Sequence, residues 1–207
     1  MKTYKLLYAV PLGAVLFFSS CATSKVASFQ QQLETKVSKE PTERPFVKFT
    51  DGRIEEFKSL EIRRGAFIAP HLVADGSRKI KTSDIVAYQT ADHFAIDQNQ
   101  LSGGRKSLVS VDALPGFAIR VAKGKLNLYC KKFYNGNAAV KEYFIQQGAE
   151  GKIYVYSPEV FQLMIENNPE ALGVFNNNDK SVAFEQKLMQ IADIVNKTSD
   201  NMLVSAN

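Results

Sequence analysis

Three kinds of hydrophobic spacing follow one another along the chain. The first is a block: Lys2 and Lys5 lead into an apolar run over residues 6–18, which ends in Ser19, Ser20 and Cys21. The second is alternation: from Phe46 onward, short β-prone runs are divided by Gly, Pro, Asp and Ser. The third is a helical recurrence of apolar residues beyond Ser157. In that order they predict an export signal, a β-rich body and helices packed upon it.

The β region can be read piece by piece. Runs at 46–49 and 54–57 flank Thr50-Asp51-Gly52-Arg53, and Asp-Gly between two β-prone runs signals a hairpin. Further short strands are expected at 60–63, 66–69, 79–81, 85–89, 93–96 and 108–111, with a polar loop over 98–106. Residues 117–122, 125–134, 139–146 and 151–156 are joined at Lys123-Gly124, Asn135-Gly136 and 148–151, and read as a four-stranded antiparallel meander. Side chains alternate across a strand, so Phe117, Ile119 and Val121 should share one face, as should Leu126, Leu128 and Cys130. These six are expected in the core.

Helix signals follow. Ser157 is placed to cap a helix whose first residue is Pro158, with Glu159 complementing the dipole. Val160, Phe161, Met164 and Ile165 form its stripe. Asn168-Pro169 should end it and start a shorter helix through Leu172 and Phe175. Phe184, Leu188, Ile191 and Val195 recur at helical spacing. The expected fold class is α+β: a mostly antiparallel β-rich body, made of hairpins and a four-stranded meander, followed by two or three C-terminal helices. The expected divisions are 1–20 as signal peptide, 21–45 as cysteine and polar tether, 46–156 as β-rich domain, 157–197 as helices packed on it and 198–207 as a frayed tail.

The leading apolar run is 13 residues long, broken only by Pro11 and Gly13, whereas a bilayer-spanning helix needs about 20. A short basic stretch, an apolar core and small residues are the layout of a secretory signal peptide. Phe18-Ser19-Ser20-Cys21 resembles the lipobox of bacterial lipoproteins. It departs from the usual pattern in having Phe18 for Leu and Ser20 for Gly or Ala. The resemblance implies cleavage before Cys21 and acylation of that cysteine with two or three chains, palmitate among them. Ala22 after Cys21, in place of the Asp that retains many lipoproteins in the inner membrane, implies the cell outer membrane. No acidic cluster follows Cys21, which points to the periplasm-facing side, with surface display as the alternative. The rival is an ordinary cut after Ala22, leaving a freely secreted domain. Residues 22–45 read as a tether, about 25–30 Å long if a flexible coil. Val26, Phe29, Leu33 and Val37 would fit one face of a short helix, although such isolated helices are marginal.

Composition narrows the function classes. The 207 residues are 45% hydrophobic, 11% aromatic and 23% charged, as in an ordinary globular protein. The formal charge is +5, and removing Lys2 and Lys5 leaves about +3. Basic residues are spread along the chain, so no nucleic-acid partner is expected. Cys130 is the cysteine that acylation of Cys21 would leave, so no disulfide framework is expected. His71 and His93 stand apart. Asp92-His93 with Asp97 offers too few ligands for zinc, which wants three or four converging. Gly103-Gly104-Arg105-Lys106 is too short for a phosphate loop. Glu55, Glu56 and Glu61 read as a solvated face. No catalytic, cofactor-binding or metal-binding residue is assigned, and an enzyme is not expected.

One feature could bind. Tyr129, Phe133, Tyr143, Tyr154 and Tyr156 fall within the meander, near Lys131, Lys132 and Lys141. Tyr129, Tyr154 and Tyr156 are the candidate ligand face, suited to a glycan or a protein partner. The plainer reading is that the helices cover these rings as core.

The folded region resembles uncharacterised secreted and lipid-anchored proteins of Bacteroidota. Thr50-Asp51-Gly52, the run Ser83-Asp84-Ile85-Val86-Ala87-Tyr88, Glu142-Tyr143-Phe144-Ile145-Gln146-Gln147-Gly148 and helices about Asn168-Pro169 carry the likeness, over 46–197. It implies no activity and transfers no site residue. The expected function is therefore a membrane-anchored envelope lipoprotein with a non-enzymatic binding or scaffolding role. Its partners would be the membrane, through acyl chains on Cys21, and an envelope protein or glycan. A glycan or small-ligand binding module is the first alternative, and a hydrolase with an unrecognised site the second.

Overall fold

The computed structural model describes residues 44–204 apart from 66, 107–109, 178 and 180, with side chains through 197. The expected export signal, Cys21 and the expected tether as far as residue 43, like half of the run at 108–111, lie outside the described residues. The fold is α+β, with a β-rich body followed by three helices.

The Asp-Gly turn does what its chemistry dictates. β1 (Phe46–Phe49) and β2 (Ile54–Glu56) pair antiparallel, Val47 opposite Glu55. Gly52 takes φ +87°, which glycine adopts without a Cβ penalty. β3 (Leu60–Gly65), β4 (Ile68–Ala74) and β5 (Arg78–Ile80) form a separate three-stranded sheet. β4 therefore runs well past the expected 66–69. Pro70 lies within it, at the place where the β3–β4 register slips between Arg63 and Gly65. A residue without an N–H is tolerated at such an irregularity.

The large sheet holds the remaining strands. They are β6 (Ile85–Gln89), β7 (Phe94–Asp97), β8 (Leu101–Ser102), β9 (Phe117–Ala122), β10 (Leu126–Tyr134), β11 (Ala139–Gln147) and β12 (Ile153–Val155). Their order with the first hairpin is β2-β1-β6-β7-β9-β10-β11-β12-β8. The meander β9–β12 is present as the sequence suggested. All pairs in this sheet are antiparallel except β12 with β8, which is parallel. Only a short 3-10 turn, Gln98–Gln100, separates β7 from β8. The two ends of the run β7-β9-β10-β11-β12-β8 are thus tied by the chain itself, and the sheet curls into a partly closed barrel.

The two faces of this sheet carry different cores. Leu101, Ala118, Tyr129, Phe144 and Ile153 fill the inside of the curl, as side chains fill any small barrel. The outer face is covered in two parts. The three-stranded sheet brings Leu60, Leu72 and Ile80 onto Val47, Tyr88 and Phe117. The helices α1 (Pro158–Ile165), α2 (Pro169–Asn176) and α3 (Phe184–Val204) bring Phe161, Ile165, Ala171, Leu188 and Ile191 onto Leu126, Leu128 and Ile145. Of the six expected core residues, Phe117, Leu126 and Leu128 are buried, while Ile119, Val121 and Cys130 are partly buried on the same outer face.

Helix ends follow local chemistry. Ser157 Oγ accepts the Val160 N–H at 3.2 Å and Asn168 Oδ1 accepts that of Ala171 at 3.0 Å, each ahead of a proline in the first turn. α2 matches α1 in length at 8 residues, where a shorter helix was expected. α3 continues to Val204, beyond the expected end at 197, because no Gly or Pro stop signal follows Val195 within it. No helix among the described residues is long and apolar enough to cross a membrane.

Candidate functional site

The deepest polar feature is at one mouth of the barrel. Strand alternation turns Lys131 inward, on the same face as Tyr129 and Phe133. Its side chain is only 3% exposed. A buried ammonium requires partners, and two are present. Lys131 Nζ lies 3.2 Å from Glu142 Oε2, directly across the β10–β11 ladder, and donates to the Arg105 carbonyl. It also stands 5.5 Å from the Phe144 ring centroid and 5.6 Å from that of Phe133, within the range of cation–π attraction.

The loop after β8 closes over this pair. The Arg105 N–H donates to Glu142, 3.1 Å from each oxygen. Gly104 holds φ +83°, and a Cβ there would lie 2.7 Å from the Phe144 ring. Glycine is required on both counts. Between loop and barrel remains a cavity of about 230 Å³, lined by Gln98, Asn99, Leu101, Arg105, Lys106 and Lys131. With Lys131 paired to Glu142, Arg105 and Lys106 are the further basic residues that border it, and their field favours an anion over a cation. The mouth of a barrel is a common place for small ligands.

The candidate tyrosines are not brought together. Ladder partners share a face. Tyr129 pairs with Phe144 and Phe144 with Val155, whereas Leu128 pairs with Ile145 and Ile145 with Tyr154. Tyr129 therefore points into the barrel and Tyr154 away from it. Tyr129 is buried and donates its hydroxyl to Gln146 Oε1 at 2.7 Å. Burial raises its pKa. Tyr156 packs under the helices, 5.4 Å from Phe161 and 5.1 Å from Phe184 between ring centroids. Tyr154 is the exposed member of the three, with Lys152 Nζ 5.3 Å from its ring. A single ligand face made of Tyr129, Tyr154 and Tyr156 does not exist in this fold. The neighbouring lysines are engaged too: Lys132 with Asp112 and Lys141 with Glu185.

The remaining candidates have structural surroundings. His93 Nε2 lies 3.3 Å from the Tyr88 hydroxyl, which accepts the Leu114 N–H at 3.1 Å. Burial lowers the His93 pKa, because desolvation disfavours the charged ring. His71 Nδ1 lies 2.9 Å from the Ala69 carbonyl. Among the described residues no three His, Cys, Asp or Glu side chains gather as a metal set. Burial pushes the Cys130 thiol up to about 11, far from a reactive thiolate. Glu55 accepts from Arg78 and Arg53, and the Arg78 hydrogen bond holds its carboxyl below the usual range.

Comparison of the chain with protein-family models, with curated proteins and with solved structures finds no match in any of the three. The site is thus read from its own chemistry. Sequence reasoning had noticed Lys131 only as a neighbour of aromatic rings. The signal lay in its phase: a lysine at an inward position of an alternating strand, with Glu142 on the next strand to answer it.

Proposed function

We propose that the chain is a lipoprotein of the bacterial outer membrane, facing the periplasm and anchored by acyl chains on Cys21. It works there by binding or scaffolding rather than by catalysis. The observation that carries this is the sequence order of basic start, 13-residue apolar run and Phe18-Ser19-Ser20-Cys21, followed by a polar stretch and then the body. One acyl chain binds a bilayer only reversibly, whereas two or three hold a protein there durably.

The body fits a binding role. Its interior is filled on both sheet faces, and among the described residues two surfaces are suited to meet a partner. One is the basic barrel mouth. The other is the tip of the β3–β4 hairpin, where Phe67 and Ile68 stand in solvent. Exposed apolar residues rimmed by charge mark interaction surfaces.

Fractionation of cells expressing the full chain tests the proposal. The wild-type chain should sediment with outer membranes and be released by detergent, not by salt. Cys21→Ser should lose that detergent-dependent outer-membrane pool. Equal recovery of both chains in the soluble periplasmic fraction would overturn the anchor.

A further inference from the structure

We infer that the barrel mouth is a binding site for a small anionic sugar, a single hydroxylated ring that bears a carboxylate or a phosphate. The inference deepens the binding role proposed above and rests on it, but not on the anchor.

The loop after β8 uses its backbone to hold the barrel and leaves its charge spare. The Arg105 N–H donates to Glu142, 3.1 Å from each oxygen, and the Arg105 carbonyl accepts from Lys131. Both main-chain groups of Arg105 are thereby tied to the buried pair. Its side chain is exposed at the cavity, as is that of Lys106. Among the described residues neither side chain has an ion-pair partner. Exposed cations such as Lys79 and Lys81 also stand elsewhere, but here two border one cavity. The acids nearby are already answered. Glu142 meets Lys131 at 3.2 Å as well as the Arg105 N–H, and Asp97 accepts the Asn99 N–H at 2.6 Å. The charge left over at the mouth is positive, and a guanidinium matches the paired oxygens of a carboxylate or phosphate.

Size and lining choose the rest of the ligand. The cavity of about 230 Å³ exceeds what a bare ion needs, since roughly 10–15 Å³ of such space holds a water. It falls below the roughly 300 Å³ at which pockets for drug-sized ligands begin. A body of about one sugar ring lies between these bounds. Leu101 is the one apolar side chain larger than glycine in the lining. Asn99 brings an amide, which both donates and accepts, as ring hydroxyls require. Gly104 cannot carry a side chain into the space, because a Cβ there would meet the Phe144 ring at 2.7 Å.

Equilibrium dialysis tests the site. The full chain is expressed in a bacterial host, purified in a non-ionic polyether detergent from the cell fraction that holds it, and weighed. The labelled probes are D-glucuronate, D-glucose 6-phosphate, D-glucose and inorganic phosphate. At least one anionic sugar should bind at one site per chain, several-fold tighter than D-glucose or inorganic phosphate, and more weakly as sodium chloride is raised. The tighter of the two anionic sugars names the charged group. Arg105→Gln with Lys106→Gln should weaken that binding at least several-fold with unchanged circular dichroism, since both side chains are exposed. Lys79→Gln with Lys81→Gln removes as much charge at β5 and should leave binding as it was. Equal effects of the two double variants would overturn the site in favour of general charge. D-glucose or inorganic phosphate bound as tightly as the anionic sugars would overturn the ligand class. An acylated chain that binds none of the four overturns the mouth and leaves the anchor standing. An unacylated chain that binds as expected supports the mouth and overturns the anchor. Recovery of the bound label as a new compound would keep the site and overturn the non-catalytic role.

Discussion

Lys131 carries a charge to a place where charge is costly, and its surroundings show what that charge does. The ammonium joins Glu142 across the ladder and holds the Arg105 carbonyl, while Glu142 holds the Arg105 N–H. The pair is the fastener of the loop over the barrel mouth. Breaking one half of a buried pair leaves the other charge uncompensated, at about 3–5 kcal/mol. Glu142 keeps 18% of its side chain in solvent, which brings the expectation to about 2–4 kcal/mol. Lys131→Met should lower the unfolding free energy by that amount in urea titrations. Adding Glu142→Gln should restore most of it, since an uncharged pair has no orphan. A single variant within about 0.5 kcal/mol of wild type, the range of an ordinary surface change, would show that the loop is held by something else.

At the scale of elements, α3 is fixed to the sheet by one side chain as well as by its apolar stripe. Asn196 Oδ1 accepts the Leu126 N–H at 2.9 Å, and Asn196 Nδ2 donates to the carbonyls of Lys123 and Leu126 at 3.1 and 3.0 Å. The helix thereby satisfies the turn between β9 and β10. Gly124 makes room for it, since a Cβ there would come within 2.4 Å of the Asn196 amide. Asn196→Ala should cost about 2 kcal/mol, on the scale of two or three lost hydrogen bonds in a part-buried turn, read as a lower urea midpoint with unchanged far-ultraviolet helicity. A midpoint equal to wild type would contradict the role.

What the sequence made legible was mostly local. The Asp-Gly hairpin, the meander and the caps at Ser157 and Asn168 depend on a few adjacent residues, and the chain carries those signals openly. Long-range pairing leaves no such mark. β8 is a strand of 2 residues that exists because β12 accepts it in parallel. The tyrosine face failed for the same reason. Alternation correctly separated Tyr129 from Leu128 within β10, but which of them Tyr154 would join depends on the register of two further strands. Pro70 hid β4, because a proline speaks against a strand unless a slip in the ladder receives it. Lys131 and Asn196 were missed as site and tie because each looks like an ordinary polar residue until its partners are placed.

The whole molecule combines a proposed address, a body and two surfaces. The proposed anchor at Cys21 would confine the body to a bilayer surface. The three-stranded sheet then presents Phe67 and Ile68, and the curled sheet presents a basic mouth floored by Lys131. Each surface is modest alone, and attachment is what would make either effective, because a tethered contact needs little affinity of its own. The account therefore stands on the chemistry at one residue. The most direct test is the intact mass of the full chain's product extracted from membranes of a bacterial host. The account predicts a chain beginning at Cys21 and heavier than its amino acids by two or three acyl chains. An unmodified chain beginning at Thr23 would contradict it and leave a freely secreted domain with no membrane to meet.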